Sequence, residues 1–356
     1  MTATKAAETT NEAFVLHPGG TFAFEERSVP TLQSDRDVIV RVMATGLCGS
    51  DGHMLWKIPI ILGHESTGIV VESGSSVQGL ASRPRARHRL QHLQSLPQRP
   101  LQPLSGMRFA ATPPYDGTLA TYYRVPAECC FKLPAHISLR DGTLIEPLSV
   151  AVHSCQLAGF MQDKSVVIFG AGPVGLLCCA VARAFGASTV VAVDVVPARL
   201  ASAVKYGATH TYQMSAETPE KNAVDLLATA GFPDGVDVAL DATGAEPCQN
   251  CGIHALTQGG TFIQVGLGKP NPSIPVGQIC DKEIVFKGSF RYGPGDFKLA
   301  VGLLNSGRVK LDDLVTHEYP FSQAEDAFKN VAGRGGIKSV IYGPNVDEEE
   351  AKAIAV

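Results

Sequence analysis

At 356 residues, 45% hydrophobic and 18% charged, the chain is long enough for two domains with separate cores. Its formal charge of -4 at pH 7 argues against a nucleic-acid-binding surface. The polar start Met1-Thr-Ala-Thr-Lys lacks the apolar stretch of a secretory signal, and the apolar run over 166–182 is interrupted by Gly-x-Gly-Pro, so the sequence predicts no leader, no membrane segment and a cytoplasmic location.

Residues 13–45 contain short alternating runs at 21–25 and 37–43, separated by polar and proline-containing turns, the pattern of a compact β domain. Next comes Thr-Gly-Leu-Cys-Gly-Ser-Asp-Gly-His over 45–53, then Leu-Gly-His-Glu over 62–65. Cys48, His64 and Glu65 place a thiol, an imidazole and a carboxylate in glycine-flanked turns. Three such donors leave a fourth tetrahedral position open, the arrangement of a catalytic zinc rather than a structural one. Scattered Cys, His and Glu are also commonly incidental, and the residues alone leave the metal open. A further acid, Glu146, lies in Leu-Ile-Glu-Pro-Leu-Ser over 144–149.

The most informative stretch runs from Val166 to Asp194. An unbroken β-branched run, a Gly170-Ala-Gly172-Pro-Val-Gly175 turn, a small-residue helix and a second apolar strand read as one βαβ unit. Gly170 permits the tight turn, Gly172 lets backbone approach a pyrophosphate at the helix N-terminus, and Gly175 lets helix and strand pack closely. Asp194, at the tip of the second strand, is placed to accept from a ribose 2′-OH. An acid there repels a 2′-phosphate, so the expected cofactor is NAD rather than NADP.

Beyond it, a helix opens at Pro197, strands are expected over 236–244, 260–267 and 283–291, and a helix over 246–256. This alternation predicts a parallel, doubly wound α/β sheet. An amphipathic stretch over 297–304, a capping box at Ser322-Gln-Ala-Glu325 opening a last helix, a closing strand over 338–342 and a solvated acidic tail over 347–352 complete the chain. The paired cysteines 129–130 and 178–179 sit in apolar surroundings and read as small buried side chains rather than disulfides.

The ordered set Gly-Leu-Cys48-Gly-Ser-Asp, Gly-His64-Glu65, Glu146-Pro-Leu-Ser and Gly170-Ala-Gly-Pro-Val-Gly175 resembles the zinc-dependent medium-chain dehydrogenases. Residues 109–118 and 287–296 are similar to the polyol branch, with its sorbitol, L-arabinitol and fungal xylitol dehydrogenases. The resemblance implies a GroES-like β-rich catalytic domain over 1–152, a Rossmann NAD-binding domain over 153–290 and a C-terminal return to the first domain over 291–356. It implies a catalytic zinc on Cys48, His64 and Glu65, with Glu146 as alternate ligand or partner of the zinc water. NAD contacts are implied from Val174, Asp194, Arg199, Val265, Gly266, Leu267, Ser289, Phe290 and Arg291, with Arg291 and Tyr292 near the polyol. The implied reaction is NAD-dependent oxidation of a polyol to a ketose, xylitol to D-xylulose first, L-arabinitol or sorbitol otherwise. Ser50 and His53 are spaced for a hydroxyl–imidazole proton relay, a surface histidine being the alternative for His53. A homo-oligomer is implied by resemblance alone.

Two departures stand out. The segment over 52–62 is shorter than the family's pocket wall, and the family's four-cysteine structural zinc lobe has no cysteine here. In its place stands an Arg-, Gln- and Pro-rich run over 83–105. As written, this run is expected to be a disordered loop, and loss of both features would leave a catalytically impaired NAD-binding relative. Leu90, Leu93, Leu96 and Leu104 would each read as cysteine one base forward if encoded by CTG before a codon starting with C or T, as the codons of Gln91, Gln94 and Pro97 do and that of Ser105 can, giving C-x2-C-x2-C-x7-C spacing. The run therefore reads as a frame-shifted version of the lobe, and transcript codons yielding no shifted cysteines would end that reading.

Overall fold

The computed structural model describes residues 10–49, 51, 58–80, 89–92 and 108–355, with backbone only for 89–92. They fall into two compact units, 1–146 with 311–356, and 147–310.

In the first unit, β1 (Asn11–Leu16) and β2 (Phe22–Arg27) form an antiparallel hairpin. The ten-residue β3 (Asp37–Gly46) is buried at nearly every position, because it is central and both its faces are covered. The short β4 (Ile60–Ile61) pairs β1, and β5 (Glu65–Ser73) runs antiparallel to β3 with Gly46 opposite Glu65. The strand β6 (Arg89–His92) joins β5, β7 (Tyr122–Pro126) joins β3, and β8 (Cys130–Lys132) joins β6. The expectation of a loop throughout 83–105 is thus corrected at 89–92, where the open edge of β5 supplies backbone partners that composition does not reveal. A short α1 (Leu139–Gly142) is capped by the Ser138 hydroxyl, and α2 (Ile145–Leu157) carries the chain from one unit into the other.

The second unit is a run of strand–helix repeats. They are β9 (Ser165–Phe169), α3 (Pro173–Ala184), β10 (Thr189–Asp194), α4 (Pro197–Lys205), β11 (His210–Gln213), α5 (Pro219–Ala230), β12 (Val236–Asp241), α6 (Glu246–Ala255), β13 (Leu256–Gln264), α7 (Val276–Asp281), β14 (Val285–Gly288) and α8 (Asp296–Asn305). All six strands are parallel, in the order β11-β10-β9-β12-β13-β14, the doubly wound Rossmann arrangement with its switch point between β9 and β12. The strand expected over 283–291 is confined to 285–288, since Glu283 and Arg291 take φ values of +53° and +56°, outside any strand.

The chain then returns to the first unit with β15 (Val315–Tyr319), α9 (Ala324–Ala332), β16 (Lys338–Tyr342) and α10 (Glu348–Ala355). The strand β16 joins β3, completing the order β15-β16-β3-β5-β6-β8 of this GroES-like sheet. Phe328 of α9 packs on Phe14, ring centroids 5.7 Å apart, beside the stacked Phe14–Phe22 pair. The capping box at Ser322 is not formed. Ser322 lies in a 3-10 turn, and Gln323 caps α9 without a side-chain bond. The acidic tail is not merely solvated either, because Glu350 of α10 meets the half-buried Arg41 of β3 at 2.6 Å. Among the described residues no helix is long and apolar enough to cross a membrane.

Candidate active site

Strand register assembles the donor cluster. With Gly46 opposite Glu65, Cys48 lies two residues beyond the end of β3, and His64 and Glu65 stand at the start of β5. The Cys48, His64 and Glu65 donor atoms all lie within 4.8 Å of one another. Ligands about 2.0–2.3 Å from a tetrahedral zinc stand roughly 3.5 Å apart, so the set fits such an ion with modest tightening. Thiolate, imidazole and carboxylate are also the donors zinc prefers.

Two neighbours support the cluster. Asp51 Oδ1 lies 3.3 Å from His64 Nδ1, while Asp51 Oδ2 accepts the Cys48 backbone N–H at 3.1 Å. One buried carboxylate thereby orients the imidazole and fixes the cysteine turn, as partners of metal-bound histidines do. Burial pushes the His64 imidazole down, but Asp51, helped by Cys48, holds it well above its usual range. From the returning segment, β16 pairs Val340 with Gly46, which brings Lys338 into an ion pair with Glu65, both side chains 2% exposed. Burial opposes the ammonium, yet Glu65, Cys48 and Glu146 together raise its pKa. Gly46 leaves room for this pair, since a Cβ there would lie 2.4 Å from Glu65 Oε2.

The second unit carries the phosphate-type turn. Gly170 takes φ +91° and donates to Val193 O at 2.7 Å, and a Cβ on Gly175 would lie 1.7 Å from Gly170 O. A Cβ on Gly172 would meet nothing within 4 Å, and no side chain caps α3, whose first helical residue is Pro173. The N-terminus of α3 thus has no side-chain cap of its own and open space beside Gly172, which suits a pyrophosphate. The Asp194 carboxylate closes the turn, accepting from Ala171 N at 2.8 Å and Val196 N at 2.9 Å.

Asp241, fully buried at the end of β12, accepts from Thr243 N, Gly244 N and Gln264 Nε2 at 2.8, 3.0 and 2.7 Å. Burial raises its pKa despite these donors. It holds the turn after β12 against the 265–267 turn, where a Cβ on Gly266 would lie 2.3 Å from Gly244 N and Leu267 is 79% exposed. Val174, Asp194, Arg199, Val265, Gly266, Leu267, Ser289, Phe290 and Arg291 all lie at or after carboxyl ends of the parallel strands, where such sheets bind ligands.

Two family models match the chain, "Zinc-binding dehydrogenase" over 173–306 and "Alcohol dehydrogenase GroES-like domain" over 34–135. A probable D-xylulose reductase A of Aspergillus clavatus is 46% identical over 96% of this chain and 99% of its own length. The chain belongs to the zinc-binding alcohol dehydrogenases. Other members of the family include D-xylulose reductase A of Aspergillus niger, 45% identical over 94% of this chain and 97% of its own. The structure of L-idonate 5-dehydrogenase from Escherichia coli matches this zinc-binding dehydrogenase with a TM-score of 0.82 at 26% identity, covering 94% of this chain and 98% of that one.

Of the residues this dehydrogenase was expected to use, Cys48, His64 and Glu65 come together, while Glu146 lies outside that three-donor cluster and close enough to Lys338 to favour its charge. Ser50 and His53 lie outside the described residues, as does most of the 83–105 run. Asp51, Lys338 and Asp241 were not singled out from the sequence. Asp51 carried a signal, an acid three residues after a candidate cysteine ligand. Lys338 and Asp241 carried none, since Lys338 meets Glu65 only through long-range strand pairing and Asp241 ties its adjacent turn to Gln264 of the neighbouring strand.

Proposed function

We propose that this dehydrogenase oxidises a polyol to a ketose with NAD, xylitol to D-xylulose being the substrate pair. The Cys48, His64 and Glu65 cluster carries the reading, and the D-xylulose reductase names of its relatives supply the substrate.

Cys48, His64 and Glu65 would hold a zinc ion, whose Lewis acidity would make a substrate hydroxyl easier to deprotonate, and NAD would accept the hydride. Asp51 keeps His64 in the orientation a ligand needs, and Lys338 offsets the negative charge of Glu65. Glu146, 5% exposed, adds a second buried carboxylate beside Lys338. The 170–175 turn would bind the pyrophosphate, and Asp194 would accept from the adenosine ribose. Arg291 and Tyr292 would meet the polyol, and Ser50 with His53 would carry the proton away.

The test is NADH formation with xylitol as metal is supplied or withdrawn. Turnover abolished by a chelator and restored by zinc is expected, and Cys48→Ser should lose both zinc and turnover while NADH affinity stays within about twofold. NADH binding without any zinc-dependent turnover would overturn the reading and leave an NAD binder.

A further inference from the structure

Two consecutive residues of α2 hold opposite ends of the 289–296 segment. His153, 6% exposed, sets Nδ1 2.9 Å from Oδ2 of Asp296, itself 1% exposed. An ionised carboxylate only accepts, so the ring N–H donates, and the same oxygen accepts the Gly293 backbone N–H. At the other end, Ser154 Oγ donates to Val150 O at 2.8 Å, so the Ser289 hydroxyl, 3.0 Å away, donates to it. Lys287 adds a third tie, donating to the Leu157 carbonyl at 2.8 Å.

The segment between these anchors is not relaxed. Arg291 sits at φ +56°, a left-handed backbone that a residue with a Cβ keeps only where its surroundings enforce it. Its guanidinium lies over the exposed Phe290 ring, 5.5 Å from the centroid, and Tyr292 is buried edge-on against Phe297 at 4.6 Å. The room for His153 is specific, since a Cβ on Gly293 would lie 3.3 Å from both its Cε1 and its Nδ1. His153 Nε2 is buried and makes no hydrogen bond among the described residues.

We propose that His153 and Asp296 are positioning residues, which hold 289–296 in the strained form that seats Tyr292 against Phe297 and presents Arg291 to the polyol. This rests on the substrate assignment of Arg291 made above. Neither member of the pair touches the reacting atoms. Their effect passes through the backbone of Gly293 and the left-handed turn at Arg291, which relaxes when the clamp is released.

The test compares His153→Phe, Asp296→Asn and Ser154→Ala by hydrogen exchange and by steady-state kinetics with xylitol. In His153→Phe, which keeps ring bulk without the donor, amide exchange over 289–296 should speed about tenfold while the strands of the second unit keep their protection. Its KM for xylitol should rise about tenfold with kcat within about twofold. Asp296→Asn retains an acceptor oxygen and should recover most of both. Ser154→Ala releases the other end and should give a smaller change in the same direction, keeping the idea testable if His153→Phe does not fold. Unchanged exchange over 289–296 in both His153→Phe and Ser154→Ala overturns the clamp. A KM unmoved in His153→Phe but raised in Arg291→Ala overturns its role in substrate binding. If Arg291→Ala itself leaves KM unchanged, the substrate assignment fails, and exchange alone then decides the clamp.

Discussion

Lys338 and Glu65 give the sharpest residue-level prediction. Both are buried, and removing one member of such a pair strands the other charge at a cost of about 3–5 kcal/mol. Lys338→Met should therefore unfold at lower temperature when metal-free. A zinc ion supplies the missing positive charge, so zinc should raise the variant's melting temperature by more than it raises that of the wild type. Calorimetry with and without zinc checks this, and an equal loss in both forms would show that Lys338 does not stand in for the metal's charge. Asp194 offers a second case. Asp194→Ala deletes two turn hydrogen bonds and the ribose acceptor together, so NADH affinity should fall about tenfold or more while NADP discrimination relaxes. Titration of both cofactors reports the change, and an unaltered preference would remove Asp194 from the ribose site.

At the scale of elements, the centre of the parallel sheet is tied at its amino end by one carboxylate. Asp237 of β12 accepts from Ser165 N and Oγ of β9 at 2.9 and 2.7 Å, and from Lys164 Nζ at 2.8 Å. Partial burial pushes its pKa up, but Lys164 and Ser165 outweigh this and hold it below 3.8. A carboxylate depressed in the folded state stabilises fully above its unfolded value of about 3.9, and that contribution is lost as pH falls through the folded value. Asp237→Asn should thus be less stable than wild type at neutral pH, with the difference shrinking in acid. A gap constant across denaturant titrations from pH 7 to about 3 would contradict this. Elements were legible where their signal was local, as in the βαβ unit from β9 to β10, whose glycine pattern and apolar runs need no distant partner. They were illegible where a partner elsewhere decided the outcome. The edge of β5 makes a strand of 89–92, Arg41 gives α10 a docking contact, and the left-handed Glu283 and Arg291 cut β14 short.

For the molecule as a whole, the three donors were candidates in the sequence because Cys48 and the His64-Glu65 pair sit in glycine-flanked turns, but the family resemblance, not their spacing, singled them out. Their supporting charge was not among them, since Lys338 belongs to the returning segment and reaches Glu65 only through the pairing of β16 with β3. The same two-unit organisation predicts that cofactor binding and metal binding separate. The turn at 170–175 and the Asp241 network lie wholly within 147–310, and the donor cluster wholly within the other unit. Stripping zinc should abolish turnover and leave NADH affinity within about twofold, as read by nucleotide fluorescence. A parallel loss of both would mean that the units do not act independently.

The interrupted first unit also has a consequence for biosynthesis. An interior strand of its sheet, β16, is translated after the entire second unit, so the ribosome releases a complete parallel-sheet domain before the earlier residues have their last neighbour. Until then the β3 edge beside the cluster stays unpaired and Glu65 lacks its ammonium. A nascent chain stalled before Lys338 should already bind nucleotide while its amino-terminal portion remains open to proteases and to association with other unfinished chains.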